Sequence, residues 1–259
     1  MYTLTDRIVF ITGASAGIGA ACAETFAGLG ARLLLCARRL ERLLPVASRL
    51  EAEYDVETHV IELDVTDSEA VAKAIENLPE EWREIDVLVN NAGKALGLDK
   101  SYESRLDHID GMIDTNIKGV LYVTRAVVPG MVERNRGHVI QIGSVAGRWV
   151  YPGGTVYCAT KHAVRAFNEG LKMDLHDSAV RVSSVDPGLV ETEFSLVRFE
   201  GDKERAEAVY SGLTPLTGRD VADVVAFCAT RPLHVNINEI SMMCVDQSHA
   251  VLVNRRKSD

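Results

Sequence analysis

The chain has 259 residues, 47% of them hydrophobic, enough to bury one sizeable α/β core without calling for a second domain. Its 28 Lys and Arg against 37 Asp and Glu leave a formal charge of -9, which opposes non-specific attraction to nucleic acid or an anionic membrane while leaving room for a local basic pocket. No apolar run approaches the ~20 residues needed to cross a bilayer, and Cys22, Cys36, Cys158, Cys228 and Cys244 form no CxxC pair, so a cytoplasmic protein with core thiols is expected.

In chain order, the apolar run 8–11, the turn at Thr12-Gly13 and the alanine-rich stretch 18–29 predict a strand, a tight turn and a helix. A strand at 32–37 follows Gly30. Then come an amphipathic helix at 40–53, a strand at 58–63 and a helix at 68–77, with Thr66 or Asp67 placed to cap it. Further strands are expected at 85–89, 137–142, 180–185 and 237–242, with long helices at 114–134 and from about Tyr157 onward. About seven strands joined by helical crossovers call for a mostly parallel sheet covered on both faces, in one domain spanning 1–259. The charged stretch 189–217 after Pro187-Gly188 breaks the rhythm and suits a substrate lid, and beyond Asp246 the chain ends in a polar tail expected to be mobile or packed on a partner subunit.

The run Thr12-Gly13-Ala14-Ser15-Ala16-Gly17-Ile18-Gly19 stands between a predicted strand and helix. Gly13 permits the sharp turn, Gly17 lets backbone approach a pyrophosphate and Gly19 lets the helix pack closely, while the helix amino terminus attracts the anion. Arg38 and Arg39 occupy the end of the second strand, where an NAD site places an acid against the ribose hydroxyls. Cations there favour NADP(H), with Arg38 the first candidate for the extra phosphate and Arg39 the second.

Ser144 follows a strand that ends in Gly143, and Tyr157 and Lys161 share one helix face. Together they suit proton transfer to or from a carbonyl oxygen, the lysine charge favouring tyrosinate. A Ser-His-Asp hydrolase fits poorly: Gly143-Ser144-Val145-Ala146-Gly147 lacks the GxSxG spacing and no suitable histidine follows. With no HExxH run, and with His162 read as packed or solvated, no catalytic metal is expected.

These motifs, in order Thr12 through Gly19, Asp64, Asn90-Asn91-Ala92-Gly93, Asn116, Ser144, Tyr157 with Lys161, and Pro187 through Thr192, resemble the short-chain dehydrogenase/reductase family across nearly the whole chain. The resemblance implies a Rossmann-type α/β domain and Asn116, Ser144, Tyr157 and Lys161 as catalytic residues, Asn116 supporting a water relay. It also implies a cofactor site made by Gly13, Ser15, Gly17, Ile18, Gly19, Arg38, Arg39, Asp64, Val65, Asn90, Ala92, Gly93, Tyr157, Lys161, Pro187, Gly188, Val190 and Thr192. The runs 112–116, 185–195, 197–199 and 234–238 further resemble NADP-dependent 3-hydroxy acid dehydrogenases of the serine and allo-threonine type, with sulfoacetaldehyde reductases close by. A small anionic hydroxy or carbonyl substrate is thereby implied, and a homo-oligomer, of tetrameric form, through the helices at 114–134 and 157–176. A catalytically silent nucleotide-binding protein is the competing class, opposed by the intact Asn116, Ser144, Tyr157 and Lys161. For the substrate's anionic end the candidates are Ser144 with Arg148 or Arg198; Arg148 is preferred because it is tethered close to the serine.

Overall fold

The computed structural model describes residues 3–256, so the last residues of the polar tail, 257–259, lie outside the described residues. Seven strands form one parallel sheet: β1 (Ile8–Thr12), β2 (Arg32–Ala37), β3 (Thr58–Glu62), β4 (Ile85–Asn90), β5 (Gly137–Ile142), β6 (Val180–Pro187) and, last in chain order, β9 (Glu239–Met242). Their order across the sheet is β3-β2-β1-β4-β5-β6-β9. The direction of growth reverses between β1 and β4, which opens a crevice at the carboxyl edge, the place where this Rossmann-type topology binds ligands.

Strand alternation sends the two faces to different cores. In β1, Val9 and Ile11 join Cys22 and Phe26 of α1 (Gly17–Ala27) and Leu43 of α2 (Leu40–Tyr54), whereas Ile8 and Phe10 face Val71 of α3 (Ser68–Glu76). All five β1 residues are at most 3% exposed, as a strand covered on both sides requires. Asp67 caps α3 by accepting from the Glu69 and Ala70 N–H groups, each at 3.0 Å, the role expected of it.

The structure departs from the sequence reading in two places, at 114 and over 189–217. The helix expected from 114 begins earlier, as α4 (Leu106–Ile113), passes through a widened π-turn at Asp114–Lys118 and continues as α5 (Gly119–Glu133). The helix carrying Tyr157 is α6 (Thr155–Asp174). The stretch 189–217 is not irregular: β7 (Val190–Glu191) pairs with β8 (Leu216–Thr217), and α7 (Phe194–Arg198) and α8 (Lys203–Ala208) lie between. A further helix, α9 (Gly218–Ala229), starts at a capping box of Thr217 and Asp220 and buries Val221 and Val225 in the same core as α1.

The carboxyl-terminal segment straps the 189–217 excursion. Arg255 donates to the carbonyls of Ala208, Val209 and Ser211 at the end of α8. Arg256 pairs with Asp246 at 2.8 Å, and its N–H reaches the Gly212 carbonyl at 2.7 Å. No helix among the described residues is long and apolar enough to cross a membrane.

Candidate active site

A cleft of about 540 Å³ runs along the carboxyl edge of the sheet from Arg38 to Arg198. Its floor at one end is the glycine turn. Gly13 and Gly17 have φ of 66° and 55°, left-handed conformations that strain any residue with a Cβ. A Cβ on Gly19 would run into the Gly13 carbonyl, so this glycine packs α1 against the turn rather than lining the cleft. Thr12 and Asn91 fasten the turn to β4: the Thr12 hydroxyl accepts from the Asn91 and Ala92 N–H groups at 3.0 Å, and Asn91 Nδ2 donates to the Thr12 and Gly13 carbonyls.

The residues fit a dinucleotide phosphate. Ala16, at the N-cap of α1, offers no side-chain cap, so the first N–H groups of the helix have no side-chain acceptor beside a cleft lined by Ser15, Ala16, Gly17 and Ile18. Farther along, Arg38 lies 3.9 Å from Asp64 and is 63% exposed, free to turn to an anion. Arg39 and Arg42 share Glu193 instead, at 3.7 and 2.8 Å, which makes Arg38 the less engaged of the two candidates. Val65, Ala92, Gly93, Pro187, Gly188, Val190 and Thr192 line the same cleft.

One expectation for this region is corrected, that for Asn90. Asn90 ends β4 pointing into the interior, donating to the Thr124 hydroxyl at 2.9 Å, and it is Asn91 that reaches the cleft. Asn116, buried in the π-turn, does not line the cleft either; its Oδ1 accepts from the Lys94 N–H and its Nδ2 donates to the Lys94 carbonyl, both at 2.8 Å, and to Thr160 at 3.0 Å. It thereby fixes the backbone after Gly93. The Lys94 side chain, missed by the sequence reading, lines the cleft with its ammonium pulled below the usual lysine range by burial and by Arg38.

At the other end stand Ser144, Tyr157 and Lys161. Ser144 leaves β5 in extended conformation and its hydroxyl accepts from the Ala146 N–H at 3.0 Å, capping the short 3-10 turn Val145–Gly147. Tyr157 and Lys161 project from one face of α6, both buried. The Lys161 Nζ donates to the Ile142 carbonyl at 2.8 Å and lies 5.9 Å from the Tyr157 ring centroid. Burial raises the Tyr157 hydroxyl above its ordinary range, Tyr151 adds to that, and Arg198 and the Ser144 hydrogen bond oppose it. Burial also lowers Lys161 to about 8, with Asp186 pulling the other way.

The two arginine candidates part company. Arg148 turns away from the cleft, pairing with Glu239 and lying 3.5 Å from Asp186, which corrects the preference given to it. Loop proximity to Ser144 fixed how far it could reach but not which side of the loop it leaves. Arg198, on α7, lines the cleft and stacks over Tyr157 at 5.3 Å, Phe194 at 5.5 Å and Tyr151 at 5.9 Å. Its Nη2 donates to the Tyr151 hydroxyl at 2.8 Å, its Nε is buried without an acceptor, and no carboxylate of the described residues lies within ion-pair distance. Among the described residues no group of three His, Cys, Asp or Glu side chains could hold a metal ion.

A phosphate cradle at a sheet switch point, joined to a serine, tyrosine and lysine at the same edge, defines a nucleotide-dependent oxidoreductase of the short-chain type. The sequence model described as short chain dehydrogenase matches residues 7–202, and the chain belongs to that family. It is 50% identical over 246 residues to the NADP-dependent 3-hydroxy acid dehydrogenase YdfG of Salmonella typhi, covering 95% of this chain and 98% of that one. It is 46% identical to sulfoacetaldehyde reductase 2 of Chromohalobacter salexigens, over 93% and 95% of the two chains. Among solved structures it is similar to the closed form of serine dehydrogenase complexed with NADP+, at 47% identity and a TM-score of 0.90, over 97% of this chain and all of that one.

Proposed function

We propose that this enzyme transfers hydride reversibly between NADP(H) and a small anionic 3-hydroxy acid or its carbonyl form, as the names of its relatives suggest. NADPH, when bound, supplies the hydride for carbonyl reduction. Gly13, Gly17 and the α1 amino terminus hold its pyrophosphate, and Arg38 reads the 2'-phosphate. Tyr157, kept protonated by burial, donates its proton to the carbonyl oxygen as charge develops there, and Ser144 donates a hydrogen bond to the same oxygen. The Lys161 ammonium, close to the tyrosine ring, stabilises the tyrosinate left behind. Alcohol oxidation runs the same transfers backwards.

The observation that carries the substrate class is Arg198. A guanidinium half-sunk among three aromatic rings, with an orphaned Nε and no acid beside it, is costly unless an anion completes it. A carboxylate or sulfonate bound there would present its neighbouring carbon toward Tyr157. Sulfoacetaldehyde reduction is the second reading, favoured by the 46% identical relative.

Purified protein assayed with 3-hydroxypropanoate, serine, sulfoacetaldehyde and a neutral aldehyde ranks these readings, following nicotinamide absorbance. Arg198→Ala should raise KM for the anionic compounds by roughly tenfold or more while sparing the neutral aldehyde. Equal losses on charged and neutral compounds would refute the anion-reading role, and absence of turnover on all of them would leave a nucleotide-binding protein. The same reading expects a cytoplasmic homo-oligomer formed through α5 and α6, whose Leu121, Val132 and Met173 are exposed. A 28.3 kDa particle by light scattering under assay conditions would count against it.

A further inference from the structure

Four charged side chains that the reaction does not use meet on the far side of the serine loop: Arg148, Arg165, Asp186 and Glu239. Glu239 opens β9, the last strand on that edge of the sheet. Its Oε1 accepts from Arg165 Nε at 3.0 Å and also contacts Arg148 Nη2. One carboxylate oxygen therefore joins two elements that both carry catalytic groups. Arg165 lies one turn beyond Lys161 and two beyond Tyr157 on α6; Arg148 closes the turn that Ser144 begins.

We propose that Glu239 is a positioning residue, bridging Arg148 and Arg165 so that the Ser144 loop is held in register against the helix that carries Tyr157 and Lys161.

Three further contacts support the assignment. The loop and the helix touch backbone to backbone, since a Cβ on Gly147 would come within 2.8 Å of the Lys161 carbonyl oxygen; a small slide of one past the other changes the catalytic geometry. Asp186 backs the bridge. Its carboxyl lies directly over Gly143, where a Cβ would collide with Oδ1, and its buried Oδ2 faces Arg148 Nε, so Arg148 spans both acids. Burial and the nearby Glu239 raise Asp186 to about 6, whereas Glu239 stays below its ordinary range: burial pushes it up, but Asp186, Arg165 and Arg148 outweigh that. Glu239 is thus the more acidic of the two. Its side chain is only 26% exposed, so solvent screens the bridge less than it would a surface pair.

The kinetic arm of the test rests on the dehydrogenase reading above; the exchange arm does not. Glu239→Ala should lower kcat by about tenfold to a hundredfold, as sub-ångström misplacement of a general acid does. KM for the best substrate and the NADPH dissociation constant by fluorescence should stay within about twofold. Glu239→Gln, which keeps an acceptor for both arginines, should recover most of the loss. Because Arg148 and Glu239 act as one unit, Arg148→Gln with Glu239→Ala should be no worse than Glu239→Ala alone. Independently of turnover, hydrogen exchange should quicken at 143–149 in Glu239→Ala while β1 and α9 keep their protection. Unchanged kcat and unchanged exchange at 143–149 would overturn the proposal. So would losses from the two sites that multiply, or exchange that quickens throughout the chain. If no substrate is turned over by the wild type, the exchange experiment alone decides.

Discussion

Lys161 is buried as a cation, and that should cost the empty enzyme stability. Its fall from the ordinary 10.5 to about 8 corresponds to about 3 kcal/mol of penalty for holding the charge at neutral pH. Lys161→Met removes that penalty and also the hydrogen bond to the Ile142 carbonyl, a loss of about 1 kcal/mol. The variant should therefore lose turnover yet gain about 2 kcal/mol at pH 7, a rise of about 4–8 °C in Tm for a chain of this size. The folded value lies below the unfolded one, so the native state binds fewer protons between pH 8 and 10.5 and wild-type stability climbs with pH across that window. The gap between variant and wild type should accordingly narrow by about 2 kcal/mol from pH 7 to pH 9.5. Calorimetry of both cofactor-free proteins at the two pH values measures this. A variant less stable than wild type at pH 7, or a gap that ignores pH, would refute the claim that desolvation dominates at Lys161.

Arg38→Asp should shift the preference for NADPH over NADH by at least about tenfold, measured as the ratio of the two dissociation constants, because attraction becomes repulsion at a weakly engaged site; an unchanged ratio would move the assignment to Arg39. Gly143→Ala should destabilise by about 1–3 kcal/mol in urea titration, since its Cβ runs into Asp186, and combining it with Asp186→Gly should relieve most of the loss. A full loss persisting in the double variant would show that another neighbour sets the cost. Asp67→Ala should cost about 1 kcal/mol through the lost α3 cap while leaving turnover intact, read from thermal melts and initial rates.

Five of the seven strands of the main sheet were legible as short runs buried nearly throughout, a pattern that apolar residues impose without help from distant contacts, whereas the edge strands β3 and β9 are only part-buried and were legible from short apolar stretches flanked by polar residues. The helices were harder. At Asp114–Lys118 the π-turn inserts an extra residue per turn and shifts the apolar phase, so the periodicity that marks α5 does not extend back into α4. The α9 helix escaped although Thr217-x-x-Asp220 is a readable capping signal. Within the site, the family resemblance singled out Ser144, Tyr157 and Lys161, and spacing placed them on one loop and one helix face, as the structure has them. Parity decided between Asn90 and Asn91: strand geometry buries the first and turns the second toward the glycines, a distinction that needs the strand's last residue to be known. Arg148 and Arg198 could be separated only by tertiary placement, because Glu239 and Asp186, which claim Arg148, come from strands far along the chain.

The grip of Arg255 on the end of α8, with Arg256 held by Asp246, makes the last stretch of the chain a tether on the wall beside Arg198. Anything appended there hangs from the wall of the cleft that carries Arg198. A purification handle or a reporter fused at the carboxyl terminus would load that wall, whereas one at the amino terminus sits ahead of β1, whose first residue lies at the opposite, amino-terminal edge of the parallel sheet. Kinetic comparisons between preparations therefore depend on which end was used, and a screen for activity begins most safely with the carboxyl end left as it is.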